Sequence, residues 1–548
     1  MSFVDHVHMM PMTVGDIAKA VNGELSGGNA DDTVTSACSD SRQVKQGSVF
    51  VAMVGERVDG HDYVSSAQNS GAVAAIVEHI VDGVDIAQIV VNNCVEALGL
   101  LAQYNLRLRR ASDNPFTIVG ITGSVGKTTT KDMLHALLST IGETVAPVGS
   151  FNNEIGLPLT ALQVNDKTRF LVAEMGANHV GEIAALTNIA PPDVAVVLKV
   201  GTAHLGEFGS VERIAQAKSE IVRGLVPHGI AVLNADDTRV SAMANLVDKQ
   251  HARWFGKHTS DGLLEAAAAG EYQLCASDIA LDSLGKPIFT LTERNFSAKS
   301  APNTSEDSNI SEDPNTSENS YDTCQVQVHL ALPGAHNVMN ALAAANVARL
   351  LGMNLRNIAD VLSQVAHISP HRMQLSTVHN NGEQFTLIDD SFNANPDSMK
   401  AGIDGLCAYE RADGRDSSQL FRIAVLGSML ELGGSEDELH EKIGSYVAHA
   451  GVDAVVAVGS QTDATLDHLA QCIVSGARQD WQHKALSADD ALHVVHSAEA
   501  ADAVVWKLVA AHPSSVVLLK GSHASGLSVL AERWATLLPA GSAARKQD

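Results

Sequence analysis

The sequence predicts an α/β protein of three domains: a small N-terminal α/β domain, a central parallel-sheet domain of the P-loop type, and a C-terminal Rossmann-like α/β domain. Three observations carry this expectation. The chain has 548 residues, more than one hydrophobic core organises. From residue 113 onward short apolar runs alternate with amphipathic segments, the signature of strand–helix–strand units. Between one such pair lies Gly120-Ile121-Thr122-Gly123-Ser124-Val125-Gly126-Lys127-Thr128-Thr129, a glycine loop following a strand-like run and opening a helix-like one.

Residues 1–112 read as the first domain. A helix starts at Thr13, with Asp16 three residues on in capping-box fashion, and VFVAMVG, SSAQNSG and AVAAIVE then read as strand, helix and strand. Residues 113–370 read as the central domain, which carries the glycine loop and in which FTIVGI, RFLVAEM, DVAVVLKV and GIAVLN are strands separated by helices. A parallel sheet built this way presents ligands at the carboxyl ends of its strands. Residues from about 295 to 323 break the pattern: rich in Ser, Asn and acids, with Pro-Asn-Thr-Ser-Glu occurring twice, they read as a disordered insertion. Residues 371–548 return to alternation, with FTLIDDSF, FRIAVLG, VDAVVAVG and SVVLLKGS as strands.

Composition narrows the function. A formal net charge of −26 opposes binding of nucleic acid over a broad surface. Six scattered cysteines without a Cys-x-x-Cys fit reduced thiols in a cytoplasmic protein. No run of eighteen apolar residues suggests membrane insertion, and a monomer is the expected state.

The glycine loop misses the usual Gly-x-x-x-x-Gly-Lys-Ser/Thr pattern, because its first glycine position is Ile121. What remains, Gly123 to Thr129, keeps the chemistry: free backbone N–H groups at a helix start attract phosphate oxygens, Lys127 offsets their charge, and the Thr128 hydroxyl suits magnesium. Glu174 ends the strand FLVAE, where a carboxylate beside a phosphate loop suits a hard cation. His204 falls on the neighbouring loop. Lys218 shares the apolar stripe of Ile214, Ile221, Val222 and Leu225, so it either snorkels outward or sits desolvated. A desolvated neutral amine can add carbon dioxide to give a carbamate, an oxygen ligand for a second magnesium ion. Asn337 and Asn340 share one face at a helix start, suited either to adenine or to capping. In the last domain Arg372 and Lys520 are candidate phosphate partners, and Asp390 a candidate for a ribose hydroxyl.

Taken together these stretches resemble the Mur ligases, the ATP-dependent amide-forming enzymes of peptidoglycan synthesis, over nearly the whole chain apart from the insertion. Within the family, SFNNEIGLPLTAL, EMGANHVGEIAAL, PGAHNVMNALAAA and DDSFNANPDSM are most similar to the branch that adds D-alanyl-D-alanine to UDP-N-acetylmuramoyl-tripeptide. The resemblance implies cell-wall precursor synthesis, with ATP and two Mg2+ ions as cofactors and an acyl-phosphate intermediate. It implies that Lys127, Glu174, His204, carbamylated Lys218 and Arg372 serve catalysis, with Thr128, Glu174, His204 and Lys218 at the metals. Asn337, Asn340, Arg372, Asp390 and Lys520 would complete the ATP site, Ser41 and Arg42 would face the uridine diphosphate, Asn152 and Asn153 the acyl end, and Asn393 and Asn395 the dipeptide. The chain departs from the family at His523, Ser428 and Phe392, where Arg, Asp and Tyr are usual. A sister ligase, a folylpolyglutamate-type ligase and a P-loop regulatory switch are the alternatives.

Overall fold

The computed structural model describes residues 8–55, 58–257, 272–295, 322–366, 369–410, 420–482 and 486–537. The stretch read as a disordered insertion lies outside the described residues except at its margins, Asn295 and Asp322–Thr323.

The N-terminal region opens with the helix Val14–Ala20, and Thr13 and Asp16 cap it reciprocally as the sequence predicts. Its main sheet has five strands in the order Glu24–Ser26, Ala87–Val90, Ala72–Val77, Ser48–Val51, Ser36–Cys38. The helix Cys94–Arg110 then leads into the central region and is locked against it. Buried Arg109 donates to the carbonyls of Thr168, Asn114 and Pro115 at 2.7–3.0 Å, and buried Asn105 donates to Ala161 and Val164 at 2.9 Å. A guanidinium spread over three carbonyls is satisfied without a counter-ion, so the two regions share a continuous core.

The central sheet has nine strands. Thr117–Thr122 lies between Phe170–Glu174 and Val194–Val197, all parallel, with Glu174 opposite Ile121 and Val197 opposite Thr122. These strands are buried almost throughout, which explains their continuous apolar runs. Their level registers bring the glycine loop, Glu174 and the segment after Val197 to one edge. The strands read from the sequence, Thr117–Thr122, Phe170–Glu174, Val194–Val197 and Ile230–Asn234, pair in parallel as expected, and beyond them Pro287–Asn295 runs antiparallel to Tyr272–Leu281 and to Asp322–His329. The link at residues 282–286 is far too short for a crossover helix, so it can only close a hairpin.

The C-terminal sheet has the order Gln374–Asn380, Glu383–Asp389, Ser515–Lys520, Phe421–Gly427, Ala454–Val458, Leu492–Val495. Asn381 and Gly382 both have positive φ and form the two-residue turn of the hairpin that joins Gln374–Asn380 to Glu383–Asp389. The remaining pairings are parallel, so Asp390 and Lys520 emerge side by side at the strand ends. Among the described residues no helix is long and apolar enough to cross a membrane.

Candidate active site

A cleft of about 460 Å³ runs between the carboxyl edge of the central sheet and the C-terminal sheet. The glycine loop forms its floor. Gly126 has φ +85° and directly precedes the helix Lys127–Leu138. A β-carbon there would overlap the Asn340 side-chain oxygen, so glycine is required both by backbone conformation and by close approach. Lys127 Nζ donates to the Gly123 carbonyl at 2.9 Å, folding back over the loop. Burial lowers its pKa and Glu174 opposes that shift.

Thr128 and Glu174 meet as the sequence suggests. Thr128 Oγ1 donates to Glu174 Oε2 at 3.0 Å, and Asn152 Nδ2 donates to Glu174 Oε1 at 2.9 Å. Glu174 is 1 % exposed, and these two donors compensate its buried charge. Ser150, which sequence reasoning missed, bonds to Thr128 Oγ1 at 2.7 Å; its position just ahead of the Phe151-Asn152-Asn153 stretch was the available signal.

Lys218 does not snorkel. It is 3 % exposed on the helix Val211–Arg223, together with Ile214, Ile221 and Val222, while Leu225 lies past the helix end. Burial first, and the charge of Lys127 second, lower its pKa to about 7, so an appreciable fraction is the neutral amine at physiological pH. His204 has φ +60° and bonds through Nδ1 to Glu431 of the C-terminal region. Burial and Lys127 push its pKa down, against the pull of Glu431. His204 and Lys218 both line the cleft.

From the C-terminal region, Arg372 reaches Thr128 Oγ1 at 3.3 Å and Ser150 Oγ at 3.4 Å. Its guanidinium lies 4.2 Å from the Phe392 ring centroid, so phenylalanine at this position supplies a stacking face. Lys520 Nζ donates to Asp390 Oδ2 at 2.6 Å and to the Asn393 carbonyl at 3.2 Å. Lys199 and Asp397 form a further bridge across the cleft at 3.0 Å. At the junction between the two regions, Lys131 Nζ donates to Ser369 Oγ at 3.1 Å, and Asp132 accepts from the Ser369 N–H at 2.8 Å.

The remaining expected residues divide. Asn337 and Asn340 line the cleft, but Asn340 Nδ2 donates to Asn337 Oδ1 at 2.9 Å and Asn337 Nδ2 donates to the Pro333 carbonyl at 2.6 Å. These amides brace the loop as well as facing the cavity. Asn393 and Asn395 also line the cleft, and Asn395 caps the helix Pro396–Ala408. Asn153 does not line it; its side chain accepts from the Gly156 N–H at 2.9 Å. Ser41 and Arg42 sit on a 3-10 turn of the N-terminal region, where exposed Arg42 pairs with Asp40 at 2.8 Å. At the other departures, His523 contacts Ser528 at 3.3 Å, and buried Ser428 Oγ has no partner among the described residues.

Three family models match in order: "Mur ligase family, catalytic domain" over residues 33–105, "Mur ligase middle domain" over 121–348, and "Mur ligase, glutamate ligase domain" over 371–523. The chain is 36% identical to the UDP-N-acetylmuramoyl-tripeptide--D-alanyl-D-alanine ligase of Mycobacterium tuberculosis, covering 96% of this chain and 98% of that protein. It is 32% identical to the protein of the same name from Escherichia coli, over 83% of this chain and 88% of the relative. Among solved structures, MurF from Acinetobacter baumannii superposes with a TM-score of 0.74 at 29% identity, covering 96% and 99% of the two chains. MurF from Thermotoga maritima in complex with ADP gives 0.67 at 27% identity, over 91% and 96%. Loop, strand-end carboxylate, buried lysine and full-length similarity agree, and the chain belongs to the Mur ligase family.

Proposed function

We propose that the chain joins D-alanyl-D-alanine to UDP-N-acetylmuramoyl-tripeptide, converting ATP to ADP and phosphate in peptidoglycan precursor synthesis. The full-length similarity to ligases of that name carries this reading, and the cleft supplies groups for each step.

In the first step the tripeptide's terminal carboxylate attacks the γ-phosphorus of ATP, and ADP leaves. Lys127 and the loop N–H groups offset charge on the phosphates, and Arg372 approaches from the opposite side. Asn337 and Asn340 border the adenine end, with Asp390 and Lys520 placed toward the ribose and phosphates. In the second step the dipeptide amine attacks the acyl phosphate, loses a proton, and expels inorganic phosphate. Asn152, Asn393 and Asn395 supply amide donors and acceptors for the two peptides, and Ser41 and Arg42 are assigned to the uridine diphosphate. Closure of the C-terminal side over the cleft would keep water from the acyl phosphate, with the exposed Lys199–Asp397 bridge at its margin.

The donor set fits magnesium, because Thr128 Oγ1 and Glu174 Oε2 are hard oxygen donors 3.0 Å apart. Lys218 is assigned as a carbamate: its neutral amine adds to carbon dioxide and one proton leaves to solvent, and the carbamate together with His204 would hold a second ion. The ions would neutralise charge developing on the transferred phosphoryl group.

The test is phosphate release from ATP and magnesium, with UDP-N-acetylmuramoyl-tripeptide and D-alanyl-D-alanine supplied singly and together, and the product identified by mass. Pentapeptide formed only when both are present is the expected result. ATP hydrolysis indifferent to both overturns the assignment.

A further inference from the structure

On the C-terminal region, away from the cleft, two helices meet at unusually short range. Glu436–His449 and Ala464–Asp480 cross where Gly444 faces the Ile473 carbonyl and Gly476 faces the Glu441 carbonyl, and a β-carbon at either glycine would overlap the opposing backbone. The separation of the helices is therefore fixed by backbone contact rather than by adaptable side chains. Near their ends this contact holds three metal-ligating groups together. His468 Nε2 lies 3.0 Å from Asp437 Oδ2 and 3.7 Å from Cys472 Sγ, and all three ligand atoms fall within 4.8 Å of one another.

We propose that Asp437, His468 and Cys472 form a binding site for a thiophilic divalent cation of the zinc class, separate from the magnesium chemistry of the cleft. His468 and Cys472 are one helical turn apart, so both project toward the same side. Tetrahedral zinc with bonds of about 2.0–2.3 Å needs ligand separations of roughly 3.3–3.7 Å; the 3.7 Å between His468 and Cys472 lies in that range, and the 3.0 Å between His468 and Asp437 is a few tenths short of it. Sulfur and imidazole select such a metal over magnesium. The side chains of Asp437 and His468 are 64% and 57% exposed, which leaves an entry path and room for water at the remaining position. Glu441, one turn beyond Asp437, places a further carboxylate on the same side of its helix. On binding, the thiol proton and any imidazolium proton pass to solvent as the metal bonds form.

The experiment is titration of the reduced, full-length protein with Co2+, followed by Zn2+. The expected result is a near-ultraviolet thiolate-to-cobalt charge-transfer band that saturates at one equivalent, is displaced by Zn2+, and is absent in Cys472→Ser. Zn2+ affinity, measured by chelator competition, falls by roughly tenfold or more in His468→Ala and Asp437→Asn. Asp437 is largely exposed, so Asp437→Asn decides the matter even if the buried Cys472→Ser variant does not fold. Absence of the band in the parent protein, or Zn2+ affinity unchanged in His468→Ala and Asp437→Asn, overturns the proposal.

Discussion

On the central side of the cleft, Thr128, Ser150, Asn152 and Glu174 are tied to one another by hydrogen bonds of 2.7–3.0 Å. Across from them, Arg372 touches the same network only at 3.3 and 3.4 Å, and the Lys199–Asp397 bridge is 43% and 34% exposed. The difference teaches how the work is divided. The glycine-loop side is tied together by short direct hydrogen bonds, whereas Arg372 reaches it at long range and the Lys199–Asp397 bridge is wet. Solvent-exposed ion pairs contribute about 0–1 kcal/mol, so closure of the C-terminal side depends on what lies between the two sides.

The most direct way to break the comparison is to remove a group from the rigid side. Lys127→Ala should lower kcat/KM about 10³-fold, measured as pentapeptide formation, with the fold unchanged by circular dichroism. A loss of tenfold or less would mean that the loop does not carry the phosphoryl charge. Arg372→Ala should cost about 10²-fold and act mainly on kcat, because the guanidinium meets the phosphates only after closure. An effect confined to KM for ATP would instead make it part of the resting nucleotide site. Lys199→Ala should change KM by only about twofold to fivefold, and the change should shrink at high salt; a hundredfold loss would show that the bridge orients a substrate.

The smallest expected effect concerns stability of the C-terminal side. His440 is fully buried, with Nε2 accepting from the Met429 N–H at 2.9 Å and Nδ1 donating to the Glu436 carbonyl at 2.7 Å. Burial lowers its pKa below the ordinary histidine value; Glu436 and Asp437 oppose this, and His468 reinforces it. Below about pH 6.5 the unfolded chain takes up a proton that the folded chain refuses. The stability this histidine contributes is therefore complete above that value and is lost as pH falls through it. Urea unfolding at pH 7.5 and about pH 5.5 should show a smaller acid loss in His440→Gln than in the parent; equal losses would exclude His440 as the group responsible.

The glycine loop, its strand and its helix were legible because they are local: the apolar run, the glycines and the lysine lie within fifteen residues. Glu174 was legible because a parallel strand announces its own carboxyl end. Lys218 was legible only as a conflict, a cation on an apolar stripe, and the buried helix resolved it in favour of desolvation. Asn153 misled because asparagine serves a helix cap as readily as a ligand, and its side chain is taken by Gly156. The antiparallel wing of the central sheet was missed because Tyr272–Leu281 and Pro287–Asn295 are joined by the short link 282–286, which carries no helical run to mark a strand–helix alternation. The links from Lys199 to Asp397, His204 to Glu431 and Lys131 to Ser369 left no periodic trace, since each joins residues some two hundred positions apart.

By itself the sequence determined the α/β class, the alternation of strands and helices, the glycine loop and the acid at the end of the neighbouring strand, because each is set by periodicity or by chemistry within one element. The tertiary structure alone decided which side chains share the cleft, the lowered pKa of Lys218, the stacking of Arg372 on Phe392 and the triangle of Asp437, His468 and Cys472. These depend on burial and on distances between elements, which no local pattern encodes.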